Sequence, residues 1–512
     1  MMFKFSLAIF LLAPIVSSSR ILGIIPTPSY SHQIAFHSIW KALALKGHDV
    51  VVITTDPVGD KNVTNLREID VHSSYKYADE IHNNIENLTP LNIIRSYQNS
   101  LNKAVDNQLR EPLVRNLIKG SETFDVVLVE SMCPEYLAFA ELYNTPKILV
   151  GSMETQSIVH AAMGNTIHPI LYPEYFLPYY GELGFFERFV SSIFLLYVNY
   201  YRIQELFPVK DLMVKKHFGD SIPPISQMLK DVDMLLLNVN PVLEPVRPHG
   251  PNTIYYGGGV HLREAEPLPE DLKTYLDSAT EGAIYISFGT HVNHHALKPE
   301  KISVIIETVR DLPYKILWKS DMEYVPEDIG NVKLIKWAPQ QDVLRHPNIK
   351  LFITQGGLQS LEEAVFSHVP MVVLPFFGDQ MRNAKRIVAK GIGQTVQHNP
   401  NLVKADFRSA IDEVITNQSY KENVKKLATL ARDQPMVGVD TVIWWVEYVI
   451  RNRGAKHFKN AIVDLPLYQY FFLDVIAVIV VVISILVYLV WKLTTSLKRK
   501  LFGRGEERVK LD

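Results

Sequence analysis

The stretch Phe352-Ile353-Thr354-Gln355-Gly356-Gly357-Leu358-Gln359-Ser360-Leu361-Glu362-Glu363 decides the fold class. Residues 351–354 read as a short buried strand, the glycine pair breaks it, and residues 360–367 carry helical apolar spacing. A strand that passes through two glycines into a helix leaves the first helical N–H groups exposed, and the helix dipole favours an anion beside them. A phosphate is the natural guest. Gly-Gly alone marks a tight turn just as readily, so the residues around it carry the reading further. Residues 371–374 form the next expected strand, between Pro370 and Pro375, and Phe376-Phe377-Gly378-Asp379-Gln380 follows.

The same alternation extends outward. Residues 283–287, 315–318 and 333–335 read as strands, and residues 299–312 as a helix with Pro299 suited to its first position. The first half opens alike: a strand at 21–25, a Pro/Ser/Tyr loop at 26–31, a helix at 33–46 ended by Gly47-His48-Asp49, and a strand at 50–54. Farther on, residues 124–129 form a strand ending at Glu130, residues 136–143 a helix and residues 147–150 a strand. Alternating strands and helices imply parallel sheets covered on both faces, with ligands bound beyond the carboxyl ends of the strands. The expectation is an α/β protein of two doubly wound, Rossmann-like domains facing a cleft, residues 20–245 and 246–465. Their join lies within residues 238–258, where Pro241, Pro245, Pro248, Pro251 and Gly257-Gly258 interrupt any periodicity.

A chain of 512 residues exceeds one ordinary core, and 47% hydrophobic with 21% charged residues suits a globular protein. A net charge of −2 lacks the electrostatic footprint of a polyanion binder, so nucleic acid is not an expected partner. Lys4, the apolar residues 5–16 and then Ser17, Ser18 and Ser19 read as a signal peptide over residues 1–19. Residues 475–491 carry no charge, and with the aromatic residues before them predict a transmembrane helix at 469–491. Lys492, Lys498, Arg499 and Lys500 place residues 492–512 in the cytosol as a basic tail. The body is then luminal in a single-pass type I protein. Arg508 and Lys510 resemble a basic retrieval signal of the endoplasmic reticulum membrane. Cys133 is the only cysteine, so no intrachain disulfide forms, and Asn62, Asn87 and Asn417 open glycosylation sequons.

Residues 352–380 closely resemble the signature of the UDP-glycosyltransferase family, with the prolines and the Asp379-Gln380 pair at the family's spacing. Trp337-Ala338-Pro339-Gln340 is similar to the family's Trp-x-Pro-Gln element, and residues 440–456 resemble the membrane-bound animal branch, with arthropod-like features. The resemblance implies the GT-B fold with one C-terminal transmembrane helix, a UDP-sugar donor in the C-terminal domain, and a small lipophilic acceptor in the N-terminal domain. It implies no metal and no separate cofactor. Homo-oligomerisation stays open.

By position, the resemblance gives Trp337 to the uracil face, Gln340 to the uridine, and Thr290, Gly357, Gln359 and Ser360 to the diphosphate. Glu363 falls to the ribose, and Asp379 and Gln380 to the transferred sugar. Gln355 stands where the family usually has a histidine at the phosphate. The acceptor hydroxyl needs a general base, and a histidine beside a carboxylate suits that task at neutral pH. His32, in the loop after the first strand, matches the family's base; Glu130 aligns with its carboxylate partner, and Glu135 is the reserve. A metal-dependent alternative would use Asp231-Val232-Asp233, which reads instead as a turn cap before a strand. Aromatic residues 172–207 read either as an acceptor or membrane-facing surface or as plain core. The expected reaction is inverting transfer of a hexose, glucose or alternatively glucuronic acid; a non-catalytic nucleotide-sugar or lipophile binder is the rival reading.

Overall fold

The computed structural model describes residues 18–82, 89–289, 298–320, 330–398 and 401–502. Two compact units divide the chain, one ending at Lys459 and the other beginning at Asn460. In the first unit, one sheet contains β1 (Arg20–Ile25), β2 (Asp49–Thr54), β3 (Leu66–Asp70), β4 (Val126–Glu130), β5 (Lys147–Gly151), β6 (Met234–Leu237) and β7 (Thr253–Tyr255). All neighbours are parallel, in the order β3-β2-β1-β4-β5-β6-β7. The second sheet contains β8 (Ala283–Ser287), β9 (Lys315–Lys319), β10 (Val332–Ile335), β11 (Ile349–Thr354), β12 (Met371–Val373) and β13 (Gly393–Thr395), parallel in the order β10-β9-β8-β11-β12-β13.

Sequence explains this arrangement. The central strands β1, β4, β8 and β11 are rich in Val and Ile and buried on both faces, as strands of a covered parallel sheet must be. The helix Tyr30–Leu45 packs so closely on β1 that a Cβ added to Gly23 would meet the Trp40 ring at 2.8 Å. Strand order reverses between β1 and β4 and between β8 and β11, which opens a crevice at the carboxyl end of each sheet. Gly356 lies at one of these points with φ +86°, where an added Cβ would stand 2.7 Å from Val373.

Several expectations need correction. The first sheet continues past residue 245, because β7 pairs with β6 through Leu235–Thr253 and its neighbours. The helix Gly438–Arg451, expected within the domain 246–465, buries Val442, Ile443, Val446 and Val449 in the core of the first sheet with Ile21, Ile25 and Val50. Asp233 secures this return: its side chain accepts hydrogen bonds from Lys147 N at 3.0 Å and Ala455 N at 2.9 Å. Asp231 pairs with Lys147 and Lys456. The aspartate pair thus ties the chain's return segment to the N-terminal sheet, consistent with its reading as a structural cap.

The second unit contains the helix Leu473–Phe502, whose residues 473–501 are long and apolar enough to cross a membrane. It starts later than residue 469, since Phe472 takes φ +55° after the short helix Leu467–Tyr470, and it runs on past residue 491 into the basic segment. The expected signal segment before residue 18, the sequon asparagine Asn87, and Arg508 and Lys510 lie outside the described residues.

Candidate active site

The crevices of the two sheets share a cavity of about 450 Å³. From the N-terminal domain it is lined by Thr27, Tyr30, Ser31 and His32, and from the C-terminal domain by Trp337, Gln340, Gln355, Gly357, Gln359, Ser360, Glu363, Asp379 and Gln380. Nine of the expected site residues therefore meet at one cavity with His32, while Thr290 lies outside the described residues.

His32 is not in a loop. The helix after β1 begins at Tyr30, with Ser29 extended at its N-cap, so His32 occupies the first helical turn. Its Nδ1 lies 2.7 Å from Glu130 Oε1 and 3.2 Å from Ser152 Oγ. A carboxylate only accepts, so Nδ1 carries the proton toward Glu130 and Nε2 keeps its lone pair. Glu130 is itself fixed: it is fully buried at the end of β4, and Thr27 N donates to Oε2 at 3.2 Å. The extra methylene of glutamate is used to span from β4 to the neighbouring helix turn. Glu135, the reserve partner, is excluded. It points into the core, where Lys210 Nζ donates to both carboxylate oxygens at 2.8 and 2.7 Å, both side chains being buried.

On the opposite wall, Gly357 caps the helix Leu358–Phe366 in extended conformation, so the helix starts at the cavity. Gln355 Oε1 accepts from Thr354 Oγ1 at 2.9 Å, and its amide rests against Gly289 and Gly357. Gln340 donates to Ser360 Oγ at 3.0 Å and to Glu363 Oε2 at 2.6 Å, while Tyr285 OH donates to its Oε1. The expected phosphate donor Gln359 instead reaches across the cleft and donates to Ser31 O at 3.1 Å. Trp337 is 61% exposed, with Tyr30 edge-on at 6.1 Å and the Lys319 ammonium 4.9 Å from its ring centre. Lys319 also donates to Gly289 O at 2.8 Å.

Asp379 caps the next helix, Gln380–Ala389, and accepts from Asn383 at 2.7 Å. Burial raises its carboxyl above the ordinary range, against the opposing effects of the Asn383 hydrogen bond and of the facing His32. Gln380 Oε1 accepts from Phe376 N and Phe377 N, which fixes the loop beside the cavity.

Sequence reading missed Ser152, Lys319, Asn383 and His261. Ser152 and Lys319 had a usable signal, since each stands at the carboxyl end of a strand, where ligands of this architecture gather. The aromatic stretch divides between its two readings. Tyr175 and Phe176 line the cavity, Phe194, Val198 and Tyr201 are core, and Phe185, Phe186 and Phe189 on the helix Phe185–Tyr201 are exposed.

Behind Glu363, burial pushes Glu362 up to about 8, with the Glu363 charge adding to it, and pushes His261 down to about 4. The Glu362 contribution to stability is complete below its ordinary 4.5 and is lost as pH rises through about 8. The His261 contribution runs oppositely, being lost as pH falls from 6.5 through about 4. Between 6.5 and about 8 only the loss acts, so the apparent Tm is expected to fall with rising pH across that window. Thermal melts should show a flatter profile for Glu362→Gln; equal slopes would contradict the buried acid.

The family model described as UDP-glucoronosyl and UDP-glucosyl transferase matches residues 21–508. The chain is 29% identical to UDP-glycosyltransferase UGT5 of Dactylopius coccus, over 97% of this chain and 96% of that protein. It is 31% identical to UDP-glucuronosyltransferase 2B13 of Oryctolagus cuniculus, over 94% and 93%. Among solved structures it resembles CalG4, the calicheamicin glycosyltransferase, with TM-score 0.54 and 16% identity over 85% of this chain and 99% of that one.

Proposed function

Because the chain belongs to the UDP-glucuronosyl and UDP-glucosyl transferase family and has the GT-B fold, we propose that it transfers glucose from UDP-glucose to a hydroxyl of a small lipophilic acceptor, with inversion. One observation carries the reading: His32, 2.7 Å from Glu130, opens on the same cavity as Gly357 and Trp337. His32 Nε2 takes the proton of the acceptor hydroxyl as its oxygen bonds to the anomeric carbon. The bond from that carbon to the β-phosphate oxygen breaks, and UDP leaves with the electron pair. Glu130 stabilises the imidazolium that forms.

In this reading uracil stacks on Trp337, displacing the Lys319 ammonium toward the diphosphate, where it supplies the cation that Gln355 lacks. The N–H groups at the start of Leu358–Phe366 oppose the remaining charge, so no metal is invoked. Glu363 accepts from the ribose hydroxyls, and Asp379 and Gln380 read the sugar. The apolar wall of Tyr97, Leu101, Met132, Tyr175 and Phe176 suits a lipophilic acceptor. The span at residues 473–501 anchors the protein, and we place its body in the lumen of the endoplasmic reticulum.

The test is UDP release and product mass from the full chain, with UDP-glucose and UDP-glucuronic acid each offered to a panel of phenols and steroids. Hexoside formation with UDP-glucose supports the reading. Glucuronide alone overturns the donor, and UDP-sugar binding without any product overturns the enzyme assignment. Trp337→Ala is expected to raise KM for the donor by roughly 5- to 150-fold, the equivalent of about 1–3 kcal/mol of base stacking, with kcat little changed. An unchanged donor KM would remove Trp337 from the nucleotide site.

A further inference from the structure

His261 follows the glycines of the interdomain join, and its imidazole is fully buried behind the donor wall. Nδ1 lies 3.4 Å from Glu362 Oε2, and Nε2 lies 3.7 Å from Glu363 Oε1. Neither separation is a good hydrogen bond, and both ring nitrogens and Glu362 Oε2 lack a partner of good hydrogen-bond geometry among the described residues, although the Gln359 backbone lies close enough to favour the protonated ring. Buried polar atoms are seldom left so, and three of them meet at a carboxylate that lines the cavity. The surrounding groups hold the loop still: Gln341 donates to Glu363 Oε1 at 3.2 Å and to His261 O at 3.1 Å, and accepts from Arg263 N at 3.0 Å.

Two carboxyl groups on adjacent residues of one buried helix turn resist being ionised together. Burial raises both Glu362 and Glu363 and lowers His261, so each of the three is drawn toward its neutral form in the empty site. A carboxyl that accepts from two ribose hydroxyls is best ionised, because a carboxylate offers both oxygens as acceptors. Glu363 must then give up a proton, and the imidazole is the adjacent base.

We propose that His261 is a positioning residue for the nucleotide: it takes the proton that Glu363 releases when the ribose docks, and as imidazolium holds Glu363 between itself and Gln340. The O–H bond on Glu363 Oε1 breaks and an N–H bond forms at His261 Nε2; the proton on Nδ1 faces Glu362, which stays neutral. No proton leaves the protein, and the transfer reverses when UDP departs. This proposal rests on the assignment of Glu363 to the ribose.

The other ionisable groups around the trio do not compete. Arg263 and Arg345 both pair with Asp342, and burial raises the phenols of Tyr30, Tyr256 and Tyr285.

The experiment titrates the full-length, detergent-solubilised protein with UDP by calorimetry, in two buffers of different ionisation enthalpy, from about pH 6 to about pH 8. Wild type should bind without net proton release and with level affinity. His261→Asn should bind about tenfold more weakly, release a proton, and weaken further as pH falls, with kcat at saturating donor within about twofold. Unchanged binding, or a loss equal at every pH without proton release, overturns the proposal. Should His261→Asn not fold, Glu362→Gln serves: Glu362 stays neutral throughout, and the amide oxygen can still accept from Nδ1, so UDP should bind within about twofold of wild type from about pH 6 to about pH 8 without net proton release. Weaker binding overturns the proposal. Glu363→Gln separates the two assignments. If it binds UDP normally, the ribose assignment fails; if it loses affinity while His261→Asn does not, only the role of His261 fails.

Discussion

His32→Ala is expected to lower kcat by roughly 10²- to 10⁴-fold while UDP binds with near wild-type affinity. The separation follows from the site's construction. His32 belongs to the helix after β1, whereas the donor wall belongs to the elements after β8, β10, β11 and β12. Removing the imidazole takes away the group that receives the acceptor proton and leaves Trp337, Gln340 and Glu363 in place. Glu130→Gln should lower kcat by a smaller factor. An amide can present N–H to Nδ1, which favours the tautomer with its proton on Nε2 and so blocks base function. Steady-state kinetics beside UDP calorimetry reads both effects; undiminished turnover in His32→Ala would end the assignment of the base.

Lys210→Met is expected to destabilise the protein by about 3–5 kcal/mol. Lys210 and Glu135 are 1% and 0% exposed, and among the described residues the carboxylate has no other partner charge at hydrogen-bonding distance. Without the ammonium, Glu135 must either remain an uncompensated buried charge or take up a proton, and both cost stability. Lys210→Met with Glu135→Gln removes both charges and should recover most of the loss. Thermal or urea unfolding of the solubilised protein checks this; additive losses in the double variant would mean that the two groups act independently. Turnover per folded molecule should change little with Glu135→Gln, in contrast to Glu130→Gln.

Much of the fold was legible because it rests on local pattern. Residues 283–287 were expected as a strand and form β8, and the periodicity at 33–46 marks the first helix, although that helix starts three residues earlier. The early start matters, because it moves His32 from a loop into a helical turn. Its cause is tertiary: Gln33 donates from the first turn to Ile25 O and Thr27 O, which draws the loop tight against β1. Residues 253–255 fell inside the expected domain 246–465 yet join the first sheet as β7, because Pro and Gly around them report a break in periodicity and not which sheet a three-residue strand joins.

The sequence by itself determined two α/β domains, the Gly356-Gly357 turn into a helix, a long apolar C-terminal segment and His32 as the base to test. Each depends on residues near one another in the chain, where spacing and backbone preference act directly. Only the tertiary structure decided that Glu130, not Glu135, meets His32, that Ser152 joins them, that Lys319 lies over Trp337 and that His261 stands between two buried carboxyls. Glu130 and Glu135 are both acidic and both near the end of β4, and the choice turns on direction. The strand's last residue points into the crevice, whereas the turn Pro134–Leu137 directs Glu135 toward Lys210 in the core, and packing across 75 residues of separation sets that direction.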